Sequence, residues 1–180
     1  MNEATEHYFR GGWSMRRIIE DVVDGVIGEF WGEAQFQPDD EGLTCREEGV
    51  LRFRGQDHHA ERGSLWRFPA PGEVEVRYLD GRPFHSFPVR APAAEHICGD
   101  DLYQVRYVFG ADMWTSVWEV AGPNKSYRMN TDYTRVVRGR VRWCVVRGRC
   151  RPQQRAWGST RRSRRLARWR ARTADTLEFG

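Results

Sequence analysis

Over residues 13–135 apolar side chains recur at every second position, in short runs broken by Gly, Pro and Asp. Period two marks strands with one buried face, because successive side chains of an extended chain point to opposite sides. The runs cover residues 13–23, 28–36, 43–53, 60–68, 73–78, 83–87, 94–98, 101–109, 113–121 and 125–135, which predicts about ten strands and an all-β fold class. Antiparallel strands joined by short loops close most economically into an up-and-down barrel, since closure removes exposed strand edges. An open sandwich is the alternative. A barrel of this size holds one small ligand unless its own side chains fill it, so the inward positions decide what it can do.

Two hairpins set the register. Asp80-Gly81 between two runs predicts a two-residue type I′ turn, which pairs Leu79 with Arg82, Val76 with His85 and Val74 with Phe87. Gly99-Asp100 as a second two-residue loop pairs Cys98 with Asp101 and His96 with Tyr103, and counting on by twos adds Val105, Tyr107 and Phe109 to the same face. The same alternation groups Glu47 with Leu43, Cys45 and Leu51, and Arg62 with Ser64, Trp66 and Phe68. On the last two runs it groups Trp114, Ser116 and Trp118, then Lys125, Tyr127 and Met129.

The inner face therefore carries Glu47, Arg62, His85, His96 and Asp101 together with Tyr103, Tyr107, Tyr127 and Lys125. Each unpaired buried polar group costs about 1 to 3 kcal/mol. These groups must bind one another, water or a ligand. Paired internally, Glu47 takes Arg62 and Asp101 caps its own hairpin. Read as a cavity, the face binds a small, partly apolar, anionic molecule through Glu47, Arg62, His85, His96, Tyr103, Tyr107, Lys125 and Tyr127, with Trp66 and Trp118 as walls. A catalytic reading takes His85 or His96 as general base, Asp101 or Glu47 orienting it and Tyr103 as acid, in an isomerase or hydrolase. Cys98 and His96, two apart on one strand, are about 7 Å apart and too distant for direct proton transfer. His58 and His59 read as exposed residues of a polar loop. No phosphate loop, G-x-S-x-G or H-E-x-x-H pattern is present, and the sequence specifies no cofactor.

Charge changes the picture of the chain's length. The 180 residues carry a formal net charge of +4, yet residues 1–135 hold 15 basic against 23 acidic side chains, a net of −8. Residues 136–180 hold 14 Arg against Asp175 and Glu178, a net of +12. Cys45, Cys98, Cys144 and Cys150 are widely spread, with no CxxC pair and no zinc spacing, as in a reducing compartment. With neither a secretory leader nor a long apolar run, a cytoplasmic location and no membrane partner are expected.

Several stretches carry a family resemblance: Phe9-Arg10-Gly11-Gly12-Trp13, Arg17-x-Ile19-Glu20-Asp21, Glu47-Glu48-Gly49-x-Leu51, Arg62-x-x-x-Trp66-Arg67-Phe68, Asp80-Gly81-Arg82-Pro83-Phe84-His85, His96-x-Cys98-x-x-Asp101-x-Tyr103-x-x-x-Tyr107 and Gly122-Pro123-x-Lys125-x-Tyr127, followed by Tyr133-x-Arg135. Together they resemble the domain of unknown function 6314 over residues 9–135. The resemblance implies a lipocalin-like barrel of the calycin type with no settled activity. It also implies that Arg135 lies across Trp13 and closes the barrel base, a cation–π contact of about 0.5 to 2 kcal/mol. The sequence departs from the family at Ser64, where an aromatic is usual, and at Asn124, where a second basic residue commonly precedes Lys125.

Two domains follow: a barrel at 1–135 and an Arg-rich tail at 136–180. The tail contains Trp143, Trp157 and Trp169 but no Lys. It reads as disordered text from a shifted reading frame in GC-rich DNA, as a nucleic-acid-binding segment if it is genuine, or as a solvated helix over 160–173.

Overall fold

In the computed structural model, which describes residues 2–22 and 25–136, every period-two run becomes a strand. The order is α1 (Asn2–Phe9), β1 (Gly11–Asp21), β2 (Gly25–Asp39), β3 (Gly42–Phe53), β4 (Gln56–Arg67), β5 (Glu73–Arg77), β6 (Pro83–Pro88), β7 (Ala93–Cys98), β8 (Asp101–Phe109), β9 (Met113–Gly122) and β10 (Lys125–Arg135). All described ladders are antiparallel and form one sheet in the order β6-β5-β4-β3-β2-β1-β10-β9-β8-β7. The two end strands, β6 and β7, approach each other without a ladder. The result is a nearly closed ten-stranded barrel with one seam.

The helix α1 was not predicted, and its reason for forming is tertiary. Eight residues are too few for a stable isolated helix. Phe9, 1 % exposed, enters the end of the barrel, its ring 4.9 Å from Trp66 and 5.5 Å from Phe109. Trp13 Nε1 donates to Phe9 O at 2.8 Å, and the Arg135 guanidinium donates to Tyr8 O and Arg10 O. The carbonyls that a helix leaves unsatisfied at its C-terminus are thus taken by an indole and a cation. The same Arg135 lies 4.1 Å from the Trp13 ring centroid.

The inner face divides into two levels. Trp13, Phe36, Trp66, Phe87, Trp114 and Tyr133 are buried near the α1 end and pack ring against ring, Trp114 and Tyr133 stacked at 3.5 Å. That end is a solid aromatic core. The opposite end, where Phe84, His96, Tyr103, Tyr127 and Lys125 lie on their strands and Tyr78 follows the end of β5, carries the mixed polar positions.

Local chemistry corrects two turn expectations. At Asp80-Gly81 the chain makes a three-residue loop instead of a two-residue type I′ turn: Tyr78 N–H donates to Arg82 O at 3.0 Å, Gly81 N–H to Tyr78 O at 2.9 Å, and only Gly81 takes positive φ, at 87°. Leu79 therefore does not face Arg82 and is exposed. Beyond the loop a β-bulge restores Val76↔His85 and Val74↔Phe87, since Arg77 pairs with Pro83 and Phe84 is the extra residue. Two successive residues, Phe84 and His85, are consequently both buried. His58 and His59 belong to β4 and not to a loop, because the β3–β4 turn is only Arg54-Gly55, both with positive φ (47° and 80°). Among the described residues no helix is long and apolar enough to cross a membrane. The expectations of disorder, a shifted frame, nucleic-acid binding or a helix over 160–173 fall on residues 137–180, outside the described ones. Val136 is described, its N–H donating to Gly12 O at 2.9 Å.

Candidate functional site

At mid-depth the barrel contains an ion pair that sequence reasoning assigned to the wrong partner. Glu47, from β3, faces Arg62 across the β3–β4 ladder, but its carboxylate is held by Arg17 of β1, with Arg17 Nη2 3.0 Å from Glu47 Oε2. Arg17 Nε donates to Thr131 Oγ1 at 2.8 Å, and the Tyr133 hydroxyl donates to Glu47 Oε1 at 3.0 Å. Burial alone would raise the Glu47 carboxyl, but the charges of Arg17 and Arg62 and two hydrogen bonds outweigh it and leave the pKa lowered. Burial likewise opposes the Arg17 charge, and Glu47 overcomes it. A signal for Arg17 was present: it continues the inward series Trp13, Met15 and Ile19.

Arg62 is left over. Its guanidinium carbon lies 5.9 Å from the Phe84 ring centroid, and no carboxylate among the described residues comes within 4.0 Å of it. Its positive charge reaches His85, Tyr107 and Tyr127, acting on the ionisation of each.

His85 sits beside it on β6, 7 % exposed, with its ring 4.7 Å from Phe84 and 5.2 Å from Trp118. Nε2 is 2.7 Å from the Tyr107 hydroxyl, whereas Nδ1 is buried with no hydrogen-bond partner. Burial first, then the charges of Arg62 and His96, push the imidazole down to about 3, so it is neutral at ordinary pH. Burial pushes the Tyr107 phenol up. A histidine this reluctant to accept a proton is a weak general base near pH 7.

His96 on β7 lies nearer the mouth, its Nε2 3.5 Å from the Tyr78 hydroxyl and its ring 4.9 Å from Phe84. Asp101, expected to cap its own hairpin, pairs with Lys125, Nζ to Oδ2 3.0 Å. Hydrogen bonding to Asp101 raises the Lys125 ammonium, and burial raises Tyr103 against the pull of Lys125. Burial pushes Tyr127 up to about 12. Trp118 is stacked on Phe84, centroids 5.4 Å apart, while Trp66 belongs to the aromatic core at the other end. The structure thus gathers Glu47, Arg62, His85, Tyr107 and Trp118 at mid-depth and His96, Asp101, Tyr103, Lys125 and Tyr127 toward the mouth, with Trp66 below.

The inward side chains of Arg17 and Glu47 keep 14 % and 13 % exposure. Two surface depressions lie elsewhere, one lined by Ile27, Glu29, Arg52 and Arg54, the other by His7, Tyr8, Arg10 and Arg135. Neither includes an inward polar residue of the barrel. Among the described residues no three His, Cys, Asp or Glu side chains are grouped to hold a metal ion.

Residues 9–135 match the family described as "Family of unknown function (DUF6314)". No curated protein matches. Among solved structures, the S-type phycobiliprotein lyase CPES from Guillardia theta is similar, with a TM-score of 0.54 and 8 % identity over 75 % of this chain and 92 % of that one. At that identity the likeness is one of fold.

Proposed function

We propose that this chain, which belongs to the DUF6314 family of unknown function, binds a small, partly apolar anion inside a calycin-like barrel. The observation that carries this is Arg62, an inward guanidinium without a carboxylate partner beside a buried histidine with an orphaned ring nitrogen. A guanidinium and a ring nitrogen that no neighbouring group of the interior satisfies are stabilised by a ligand that does. Phe84 and Trp118 offer apolar area next to that charge. A tetrapyrrole carboxylate and a fatty-acid-like carboxylate both meet these demands. Binding is favoured over lumen catalysis because neither carboxylate proposed to orient a histidine does so: Glu47 is held by Arg17 and Asp101 by Lys125.

Native mass spectrometry of the full chain, together with titration by the anionic dye 8-anilinonaphthalene-1-sulfonate followed through tryptophan fluorescence, tests the reading. One retained molecule or saturable quenching at one site is expected, and Arg62→Gln weakens the dye at least tenfold. A folded chain that neither retains a ligand nor responds to the dye refutes it.

A further inference from the structure

The charges and hydrogen-bond donors of the interior, counted group by group, narrow the ligand beyond "anionic"; this rests on the binding role proposed above. The charged inward side chains at mid-depth are Arg17, Glu47 and Arg62, and those at the mouth are Asp21, Asp101 and Lys125. Arg17 and Glu47 neutralise each other at 3.0 Å, as do Lys125 and Asp101 at 3.0 Å. At mid-depth one positive charge remains, that of Arg62. The donors give the same answer. The His85–Tyr107 pair shares one hydrogen bond of 2.7 Å, yet a neutral imidazole and a phenol carry one N–H and one O–H between them. Whichever group donates, the pair keeps a spare hydrogen, on Nδ1 or on the Tyr107 oxygen. Phe84 touches both groups, with its ring 4.7 Å from the His85 ring and 5.9 Å from the Arg62 guanidinium carbon, and the Arg62 charge acts on His85 and Tyr107 alike.

Direction follows from packing. Below Arg62 on β4 the next large inward residue is Trp66, wedged against Phe9, Phe36 and Trp114, so nothing extends that way. Toward the mouth the inward neighbours are small or partly exposed: Gly49, Leu51, His58 and Ala60. From Arg62 to the start of β4 at Gln56 is roughly 15 Å along the barrel axis at ordinary strand rise and tilt.

We propose that the interior takes a singly charged carboxylate head-first, its carboxylate on Arg62 and the spare donor of the His85–Tyr107 pair, and its apolar chain lying past Phe84 and Trp118 toward the mouth. A head carrying two charges would keep one of them uncompensated in a desolvated site, and a neutral alcohol would leave Arg62 unpaired. A planar guanidinium also suits a carboxylate, which it can bind through two parallel hydrogen bonds.

The test is a ligand series on the unaltered full chain at pH 8.5: dodecanoate, dodecanol and dodecyl phosphate, read by displacement of 8-anilinonaphthalene-1-sulfonate. Dodecanoate is expected to displace the dye at least tenfold more tightly than either analogue. Arg62→Gln should remove that preference while leaving dodecanol unchanged, and Arg62→Lys should restore part of it. Dodecyl phosphate binding as tightly as dodecanoate overturns the singly charged head, and dodecanol binding as tightly overturns the role of Arg62; in both cases the dye still binds and the broader reading stands. Dye binding that none of the three displaces places the site elsewhere and overturns the inference. A chain that binds neither dye nor any of the three refutes both.

Discussion

His85 couples the interior to acid. Its folded pKa, pushed down to about 3 by burial and by Arg62 and His96, lies below the value of about 6.5 for an unfolded chain. Below pH 6.5 the unfolded chain binds the proton first, so the stability this residue contributes is complete above pH 6.5 and is lost as pH falls toward 3. At about 1.4 kcal/mol per unit, the loss between pH 6.5 and 4 is roughly 3 kcal/mol. Urea midpoints of the parent should fall across that window, and His85→Phe should flatten the fall. An identical slope in the variant would show that His85 is not its source. The Glu47 carboxyl, also lowered, adds its own loss at more acid pH.

Residue alternation made most of this site legible: Glu47, Arg62, His85 and Tyr107 all follow from counting by twos. What counting cannot give is who pairs with whom across a non-adjacent strand. Arg17 and Glu47 belong to β1 and β3, and the strand between them presents Gly32 and Ala34 inward, so a long side chain can pass over it. Only the assembled sheet brings that pair together.

At the scale of elements, glycine decides how closely β2 and β3 pair. Gly32 and Gly49 face each other, and a Cβ on Gly49 would lie 2.2 Å from Trp31 O and 2.8 Å from the Phe30 ring. Neither the backbone nor the ring can yield that much without distorting the ladder. Gly49→Ala is expected to cost about 1 to 3 kcal/mol, measurable as a drop in the urea midpoint; an unchanged midpoint would mean the two strands can move apart. The Arg54-Gly55 turn points the other way. Arg54 holds φ at 47°, a conformation that costs a non-glycine residue about 1 kcal/mol or more. Arg54→Gly should therefore raise the melting temperature, and a decrease would show that the Arg54 contact with Phe53, 5.4 Å from ring centroid to guanidinium carbon, outweighs the strain. Both strands were visible in the sequence. The bulge at Phe84 was not, because Asp-Gly suits a two-residue turn and a longer loop equally, and only the buried pair Phe84-His85 distinguishes them. The helix α1 was invisible for a different reason, since its stability comes from Phe9 among rings contributed by distant strands.

For the whole barrel, one side chain ties three elements together. Arg135 of β10 covers Trp13 of β1 and donates to two carbonyls at the end of α1. Lysine keeps the charge but not the fork or the flat face that lies over the indole. Arg135→Lys is expected to destabilise the protein by about 1 to 3 kcal/mol, and calorimetry that finds no change would remove Arg135 from the closure. That closure has a consequence for how the chain reaches its structure. Every ladder but one joins strands consecutive in sequence, and those hairpins can form locally and fast. The exception is β1 with β10, where Ser14 and Thr134 are 120 residues apart. Bringing such distant ends together costs roughly 4 kcal/mol of chain entropy before any contact repays it. The two half-sheets, β1 to β6 and β7 to β10, should therefore assemble first, and their joining, with Arg135 settling on Trp13, should limit the rate of folding.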